Sequence, residues 1–332
     1  MKSSPAYTTV YGSAFRGDSL SLLAELPDAS VNLVMTSPPF ALQRPKEYGN
    51  LDQDAYLDWI TSFGKLVKQK LREDGSFVID LGGAYQKGLP SRSLYNFRLL
   101  IRFVDELGFH LAEDFYWFNP SKLPSPIEWV NKRKMRAKDS VNTIWWLSKT
   151  AWPKADVTRV LTPYSERMKK LISNPAAFYT PKLRPSGHDI GESFGKDNGG
   201  AIPSNLISVP NTESNGAYTS ACKLVGASVH PARFPAKIPA FFIDMLTDPG
   251  DLVIDIFAGS NTTGCAAEAA RRRWHSFELD AGYVAASAFR FLPDDYGDAE
   301  KAALYERLLS GASVDLAEYS PVPMLFEAPL TA

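Results

Sequence analysis

The chain has 332 residues, 45% of them hydrophobic and 22% charged, with a formal net charge of −1, as in ordinary globular proteins. No apolar run reaches 18 residues, and residues 1–11 have no apolar core of the signal-peptide type. Two cysteines, Cys222 and Cys265, allow neither a disulfide framework nor a zinc site. We therefore expect a reduced, cytoplasmic setting, with no membrane segment and no metal.

Helices and strands alternate along the first half of the chain. Asp18 or Ser19 can cap a helix whose leucines share one face, and the apolar run at 31–35 predicts a buried strand. Further helices are predicted at 56–71 and 97–107, and further strands at 76–79, 110–118 and 141–147. This alternation predicts an α/β fold with a doubly wound sheet.

Residues 36–40, Thr-Ser-Pro-Pro-Phe, follow the first of these strands. Because two prolines cannot continue a sheet ladder, the strand must end there, and ligands bind at the carboxyl ends of strands in open α/β sheets. A hydroxyl, a free carbonyl and an aromatic ring at this place suit a flat ring that bears an amine. A Pro-Pro turn without function is the alternative.

Asp80 follows the second strand and precedes a double glycine. An acid at the carboxyl end of a strand is a candidate site residue. A turn-forming Asp that caps the next segment is the alternative.

Positive charge is concentrated in the middle of the chain. Between Val130 and Ser186, thirteen Lys or Arg residues stand against three acidic residues, which gives a local net charge of +10. Tryptophans and tyrosines are interleaved with them, which favours a nucleic-acid surface over a merely solvated face. The residues expected to contact DNA are Lys132, Arg133, Lys134, Arg136 and Lys138, with Arg184 and His188 in the irregular stretch 150–229.

The last third reads as a nucleoside-binding unit. A buried strand at 252–256 ends in a turn around Gly259, Thr262 or Thr263 caps the following helix, and a second strand ends at Glu278. The turn has fewer glycines than a diphosphate-binding loop, so an adenosine ligand without a diphosphate fits better. S-adenosylmethionine is the expected cofactor, and NAD remains the alternative.

Taken together, the motifs Thr-Ser-Pro-Pro-Phe at 36–40 and Asp-Ile-Phe-Ala-Gly-Ser at 255–260 closely resemble those of a known family. This is the β-group amino DNA methyltransferases of bacterial type II restriction–modification systems, in particular the PvuII-type cytosine-N4-specific enzymes. The resemblance implies a mostly parallel seven-stranded sheet in permuted order. It divides the chain into a catalytic half at 12–149, a target-recognition region at 150–229, a cofactor-binding half at 230–292, and a C-terminal helix and tail at 293–332.

The resemblance also implies roles for the catalytic residues. Ser37 and the carbonyl of Pro38 would accept hydrogen bonds from the two amino hydrogens of cytosine, and Pro39 completes the turn. Phe40 would stack on a base flipped out of the duplex. Asp80 would orient Ser37 or accept a proton through it, and both roles stay open.

For the cofactor, the family pattern assigns Glu278 to the ribose and Phe257 to adenine packing. The residues that would surround the methionine end are Gly259, Ser260, Thr262 and Thr263. Four more residues are counted with the cofactor site because they stand in flanking or signature motifs: Asp18, Thr36, His230 and Asp255.

The implied activity is methylation of the exocyclic N4 of a flipped-out cytosine in duplex DNA, at a short palindromic site, which protects host DNA from a cognate endonuclease. Adenine-specific relatives usually carry Asp where this chain has Ser37, which favours cytosine. An adenine-N6 methyltransferase and a catalytically silent DNA-binding regulator are the alternatives. The expected oligomeric state is a monomer or a weak dimer.

Overall fold

A computed structural model describes residues 1–39, 53–86, 88–175, 195–213 and 215–319. Phe40, Arg184 and His188 lie outside these residues. The chain divides into two compact units. The larger one comprises Met1–Ala155 and the chain from Asn205 to the last described residue, and the smaller one runs from Asp156 to Ser204.

The larger unit is built on one sheet of ten strands in the order β10-β1-β2-β9-β8-β3-β4-β6-β5-β7. The strands are β1 Tyr7–Thr8, β2 Gly12–Arg16, β3 Val31–Thr36, β4 Leu71–Leu81, β5 His110–Phe118, β6 Val141–Ser148, β7 Leu206–Ser208, β8 Leu252–Asp255, β9 Arg273–Glu278 and β10 Val314–Asp315. Three pairings are antiparallel, those of β1 with β2, of β4 with β6 and of β5 with β6, and the others are parallel. The predicted mostly parallel α/β sheet is confirmed.

The predicted number of seven strands is too low. The seven central strands, from β2 to β5 in spatial order, are extended by β1 and β10 at one edge and by β7 at the other. These three additions are only two or three residues long. Segments this short carry no alternating pattern that a sequence reading could detect.

Helices connect the strands and cover the sheet. In chain order they are α1 Ser19–Ala24, α2 Gln53–Lys70, α3 Tyr95–Ile101, α4 Glu166–Ser173, α5 Gly216–Leu224, α6 Lys237–Leu246, α7 Thr262–Ala269, α8 Ala281–Ser287 and α9 Asp298–Leu309. Short π-helical turns form at Arg102–Glu106 and Glu128–Lys132, and 3-10 turns at Val157–Val160 and Ala288–Phe291. The helix predicted at 97–107 is therefore α3 continued by a π turn.

The core lies on both faces of the central strands. All six residues of β3 are buried, as expected of a parallel strand covered by helices on both sides. The predicted apolar face of α2 is buried through Tyr56, Ile60, Phe63 and Val67. Because β3 lies between β8 and β4 and all three run parallel, their carboxyl ends meet at one edge, where the strand order reverses.

The smaller unit contains α4, which Ser165 caps: its hydroxyl accepts a hydrogen bond from the amide of Met168 at 3.2 Å. Thr162 pairs with Ala201 in an antiparallel bridge. The predicted recognition region at 150–229 is wider than this unit, because residues 205–229 supply β7 and α5 to the larger one. Its role in target recognition stays a prediction.

Candidate active site

Ser37 and Asp80 meet at the carboxyl ends of β3 and β4. The parallel register pairs Thr36 with Ile79, so the next residue on each strand comes level with its neighbour. The Ser37 hydroxyl donates a hydrogen bond to Oδ2 of Asp80 at 3.2 Å. Pro38 is buried and Pro39 half-buried. The two strand ends that were predicted independently as site residues therefore form one site.

Asp80 is a buried carboxyl group, and few neighbouring groups stabilise its charged form. Its side chain is 1% exposed, and burial raises its pKa from 3.8 to about 6. The side chain of Asn142, the Ser37 hydroxyl and the Lys122 ammonium oppose this rise in pKa. Oδ1 of Asp80 has no hydrogen-bond partner within the described residues. A carboxyl group with a pKa near neutrality and a free oxygen can exchange a proton during a reaction.

Asp255, at the end of β8, is satisfied from three directions. Its Oδ1 accepts hydrogen bonds from the Thr36 hydroxyl at 2.6 Å and from the Phe257 amide at 3.0 Å, and its Oδ2 accepts one from the Thr263 hydroxyl at 2.6 Å. Thr36, Asp255 and Thr263 are all buried. These three predicted cofactor residues bond to one another, so the geometry gives them a supporting position that fixes the turn after β8.

The turn at Gly259 depends on a residue without a side chain. Gly259 has φ +50°, and a Cβ there would come within 2.8 Å of the His230 ring. The amide of Gly259 donates a hydrogen bond to Oε2 of Glu278 at 2.9 Å, and Oε1 of Glu278 accepts one from the Asp280 amide at 2.9 Å. Burial raises the pKa of Glu278. Three predicted cofactor residues, Gly259, Glu278 and His230, therefore lie together.

The cap of α7 corrects the prediction. Asn261, not Thr262 or Thr263, caps this helix: it has φ 55°, and its side-chain oxygen accepts a hydrogen bond from the Gly264 amide at 3.1 Å. Asn tolerates the left-handed conformation that the tight turn requires, whereas a β-branched threonine does not. Thr262 and Thr263 instead form the first turn of α7, and Ser260 lies buried with its hydroxyl 3.3 Å from that of Thr262.

Asp18 stands at the same edge of the sheet. Its carboxylate caps α1 by accepting a hydrogen bond from the Ser21 amide at 2.9 Å, which confirms one of the two predicted caps. The preceding residue, Gly17, donates its amide hydrogen to the backbone carbonyl of Glu278 at 2.9 Å. Asp18 is exposed beside the end of β9.

An aromatic wall adjoins the turn. The Phe257 ring packs against Trp59 and Phe63 of α2, with centroid separations of 5.4 and 4.9 Å. Leu279, directly after Glu278, is 70% exposed. Trp59 and Leu279 were not predicted as site residues from the sequence. The signals that could have found them are the position of Trp59 four residues before Phe63, on the same helix face, and the apolar residue next to the acid.

Arg290 is a third residue that was not predicted from the sequence. Its buried guanidinium donates hydrogen bonds to the carbonyl oxygen of Ser260 at 2.6 Å, to the Ser260 hydroxyl at 3.0 Å, and to the side-chain oxygen of Asn215 at 2.7 Å. It also lies over the Tyr218 ring at 4.6 Å. Arg290 thus ties the turn to α5. No sequence signal marks it, because tertiary packing alone buries this cation.

The basic cluster predicted to contact DNA lies in the connection between β5 and β6, and its five residues, 132–134, 136 and 138, are all exposed. Glu128 forms ion pairs with Lys132 at 3.2 Å and with Arg133 at 3.0 Å. Arg136 donates to the carbonyl of Pro90 at 2.9 Å. DNA contact by these residues remains a prediction.

Comparison with known proteins identifies the family. A family model described as DNA methylase matches residues 31–289. The type II methyltransferase M.PvuII of Proteus hauseri is 67% identical over 312 residues, which cover 94% of this chain and 93% of that protein. The chain belongs to the DNA methylase family. The resemblance stated from the two motifs is confirmed.

Solved structures of DNA methylases agree with the fold. The structure of the PvuII DNA methyltransferase (cytosine-N4-specific) matches with a TM-score of 0.79 and 56% identity, over 95% of this chain and 98% of that one. A DNA modification methylase of Thermus thermophilus, solved with S-adenosyl-L-methionine, matches with a TM-score of 0.51 and 20% identity, over 92% of this chain and 98% of that one. The second match supports the fold alone.

The described part of the methylase contains neither a candidate metal site nor a candidate membrane-spanning helix. Its His, Cys, Asp and Glu side chains form no group of three or more that could hold a metal ion. No helix there has both the length and the apolar character needed to cross a membrane.

Proposed function

We propose that this methylase transfers a methyl group from S-adenosyl-L-methionine to the exocyclic N4 of a cytosine flipped out of duplex DNA. The observation that carries the proposal is the hydrogen-bonded pair of Ser37 and Asp80 at the ends of β3 and β4. The 67% identical relative is a type II methyltransferase, and the solved PvuII enzyme is described as cytosine-N4-specific. Ser37, where adenine-specific enzymes usually carry Asp, agrees with cytosine.

The chemical problem is a poor nucleophile, because the lone pair of the cytosine amine is delocalised into the ring. The Ser37 hydroxyl donates its hydrogen to Asp80, so the lone pairs of Oγ are free to accept an amino hydrogen of the base. The Pro38 carbonyl, which lies past the end of β3 and outside its ladder, accepts the other hydrogen. Two acceptors fix the orientation of the amine and localise its lone pair for direct in-line attack on the methyl carbon.

Asp80 accepts the proton that the reaction releases. Methyl transfer leaves a positive charge on N4, which is lost with one amino hydrogen. With its pKa raised to about 6 by burial, Asp80 is largely ionised at neutral pH and accepts that proton through the Ser37 hydroxyl. Loss of the proton need not precede methyl transfer, so positioning carries most of the catalysis.

The residues around Gly259 fit an adenosine ligand. Each oxygen of the Glu278 carboxylate accepts one backbone hydrogen bond and keeps a lone pair for a ribose hydroxyl. The rings of Phe257 and Trp59 offer an apolar surface for adenine, and Leu279, directly after Glu278, is exposed. S-adenosylmethionine, when bound, supplies an electrophilic sulfonium methyl. NAD fits less well, because the turn lacks a diphosphate-binding glycine pattern.

On the DNA side, the proposal includes a short palindromic site, contacts from the basic cluster and from residues 150–229, and protection of host DNA from a cognate endonuclease. The positive charge between Val130 and Ser186 supports a polyanionic substrate. The proposal also includes that the protein acts as a monomer or weak dimer in the bacterial cytoplasm.

The test is the chemical identity of the methylated base. DNA from a host that expresses the protein is digested to nucleosides and analysed by mass spectrometry, with a Ser37→Ala strain as control. We expect N4-methylcytosine in the first strain only. N6-methyladenine alone would replace cytosine by adenine as the target, and no methylated nucleoside would favour a DNA-binding regulator. Sequencing the methylated positions then gives the recognition site.

A further inference from the structure

Residues 121–138, here named the β5–β6 loop, expose large apolar side chains beside the active site. Leu123 is 81% exposed, Ile127 58% and Met135 43%. A single exposed leucine needs no explanation, but three large exposed apolar side chains within one short connection point to a surface that binds a partner. The Ser37–Asp80 mechanism does not use them.

The two ends of this loop are tied to each other and to the connection between β4 and α3. Lys138 Nζ donates hydrogen bonds to the carbonyls of Pro120 at 3.2 Å and Lys122 at 3.3 Å. The salt bridge between Arg92 and Asp139, at 2.7 Å, holds the end of the loop. Two prolines, at 124 and 126, further restrict the backbone next to Leu123. Leu123 is therefore presented on a stiff support, so little conformational entropy is lost when it is enclosed by a partner.

The loop starts at the carboxyl edge that carries the catalytic residues. β5 is two strands away from β4, about 10 Å at the usual strand spacing. Lys122, next to Leu123, lies close enough to Asp80 to influence its charge. A nucleotide flips by rotation about its own backbone, so the gap that it leaves in the duplex lies beside the pocket that receives it. The topology places Leu123, five residues after the end of β5, at the same edge of the sheet as Ser37 and Asp80.

The charge around these apolar side chains matches one partner. The β5–β6 loop carries Lys122 and the five cations of the basic cluster against a single acid, Glu128. Cations flank phosphates, and proteins insert leucine, isoleucine, methionine or proline between base steps of DNA. Exposed apolar side chains among several cations thus suit the interior of a duplex better than a neutral protein surface.

We propose that Leu123 enters the DNA duplex and fills the space vacated by the flipped cytosine, while the surrounding cations of the β5–β6 loop hold the adjacent phosphates. This inference rests on the proposed function. Leu123 restores part of the contact that the flanking base pairs lose when the cytosine leaves, and it excludes water from the gap. Its side chain makes no contact with the reacting atoms, so it is a positioning residue.

The experiment compares two synthetic duplexes that contain the mapped site. In one the target cytosine faces guanine, and in the other it faces an abasic position, where no base pair has to be broken. Single-turnover methyl transfer from S-adenosylmethionine is measured for wild type and Leu123→Ala. Opening a base pair takes a few kcal/mol, so we expect a rate loss of about tenfold or more on the paired duplex and less than about twofold on the abasic one.

Two further variants separate this role from a general defect. Leu111→Ala removes an exposed leucine, 42% accessible, at the opposite end of β5, and we expect wild-type rates on both duplexes. Leu123→Met keeps an apolar side chain of similar size and should restore most of the rate on the paired duplex.

Equal losses for Leu123→Ala on both duplexes, or no loss on either, would overturn the inference. Wild-type protein that methylates neither duplex would instead overturn the proposed function, and the role of Leu123 with it.

Discussion

Two aspartates occupy equivalent places in this fold but differ in the hydrogen bonds that they accept. Asp80 and Asp255 both lie at the carboxyl end of a central parallel strand, both are buried, and burial raises the pKa of each. Asp255 accepts three hydrogen bonds, from Thr36, Thr263 and the Phe257 amide. Asp80 accepts one of 3.2 Å from Ser37 and leaves Oδ1 without a partner among the residues described.

The difference separates a supporting carboxylate from a reactive one. A buried polar group is normally satisfied, and one that is not raises the free energy of the folded state unless a ligand completes it. Asp255 is complete without substrate and fixes the turn after β8. Asp80 is incomplete, which is expected of a group that acts when substrate arrives. The neighbouring hydroxyls of Thr36 and Ser37 extend this contrast, since each bonds to a different aspartate.

The largest expected effect is that of Ser37→Ala. It removes the acceptor for the amino hydrogen and the link to Asp80, so turnover should fall by about two to four orders of magnitude. Affinity for S-adenosylmethionine should stay near wild type, because the buried turn after β8 is untouched. The free energy of unfolding should fall by about 1 kcal/mol, because the buried Asp80 loses its hydrogen bond from Ser37. Single-turnover kinetics, calorimetric titration with the cofactor and urea unfolding measure the three quantities. Near-normal turnover would refute the assigned role.

Asp80→Asn should lower turnover by about tenfold to a hundredfold while stabilising the protein. Because the pKa of Asp80 in the folded state is about 6, above the ordinary 3.8, the folded state loses stability as pH rises from about 4 to 6. Asn has no charge, so the variant should gain up to about 3 kcal/mol at pH 8 and almost nothing at pH 4.

The same titration predicts the pH dependence of wild-type turnover. Only the ionised carboxylate accepts a proton, so single-turnover rates should fall as pH drops through about 6 and level off above it. In Asp80→Asn this step should disappear. A variant that is less stable than wild type at pH 8, or that keeps the step, would contradict the reactive role of Asp80.

Thr36→Val is the matched change on the supporting side. It removes one of the three donors to Asp255 at nearly constant volume and leaves a buried carboxylate oxygen with one bond fewer. We expect a loss of about 1–3 kcal/mol in the free energy of unfolding, with a turnover loss far below that of Ser37→Ala. Urea unfolding at pH 7.5 measures the first. A purely catalytic defect without loss of stability would remove the distinction between the two aspartates.

The sequence predicted this contrast only in part. The apolar run before Pro38 located the end of β3, and the acid after the next strand located Asp80, because period, breakers and strand ends are local properties. The pairing of Gly259 with Glu278 followed from the spacing of a βαβ unit. The cap at Asn261 and the buried Arg290 did not, because a left-handed turn residue and a desolvated cation are selected by tertiary contacts that no single segment encodes.

The smallest expected effect concerns the basic cluster, whose cations are either paired with an acid or available to bind phosphate. Glu128 neutralises Lys132 and Arg133 within the basic cluster, and these ion pairs lower the pKa of its carboxyl group. Glu128→Ala should free both cations for phosphates, tighten non-specific duplex binding a few-fold, and steepen the slope of log K against log salt by about one to two. Lys132 and Arg133 changed together to Ala should flatten the same slope, and fluorescence anisotropy across a salt series measures both. If neither variant changes the slope, the basic cluster does not contact DNA. Its cations then cannot hold the phosphates beside Leu123.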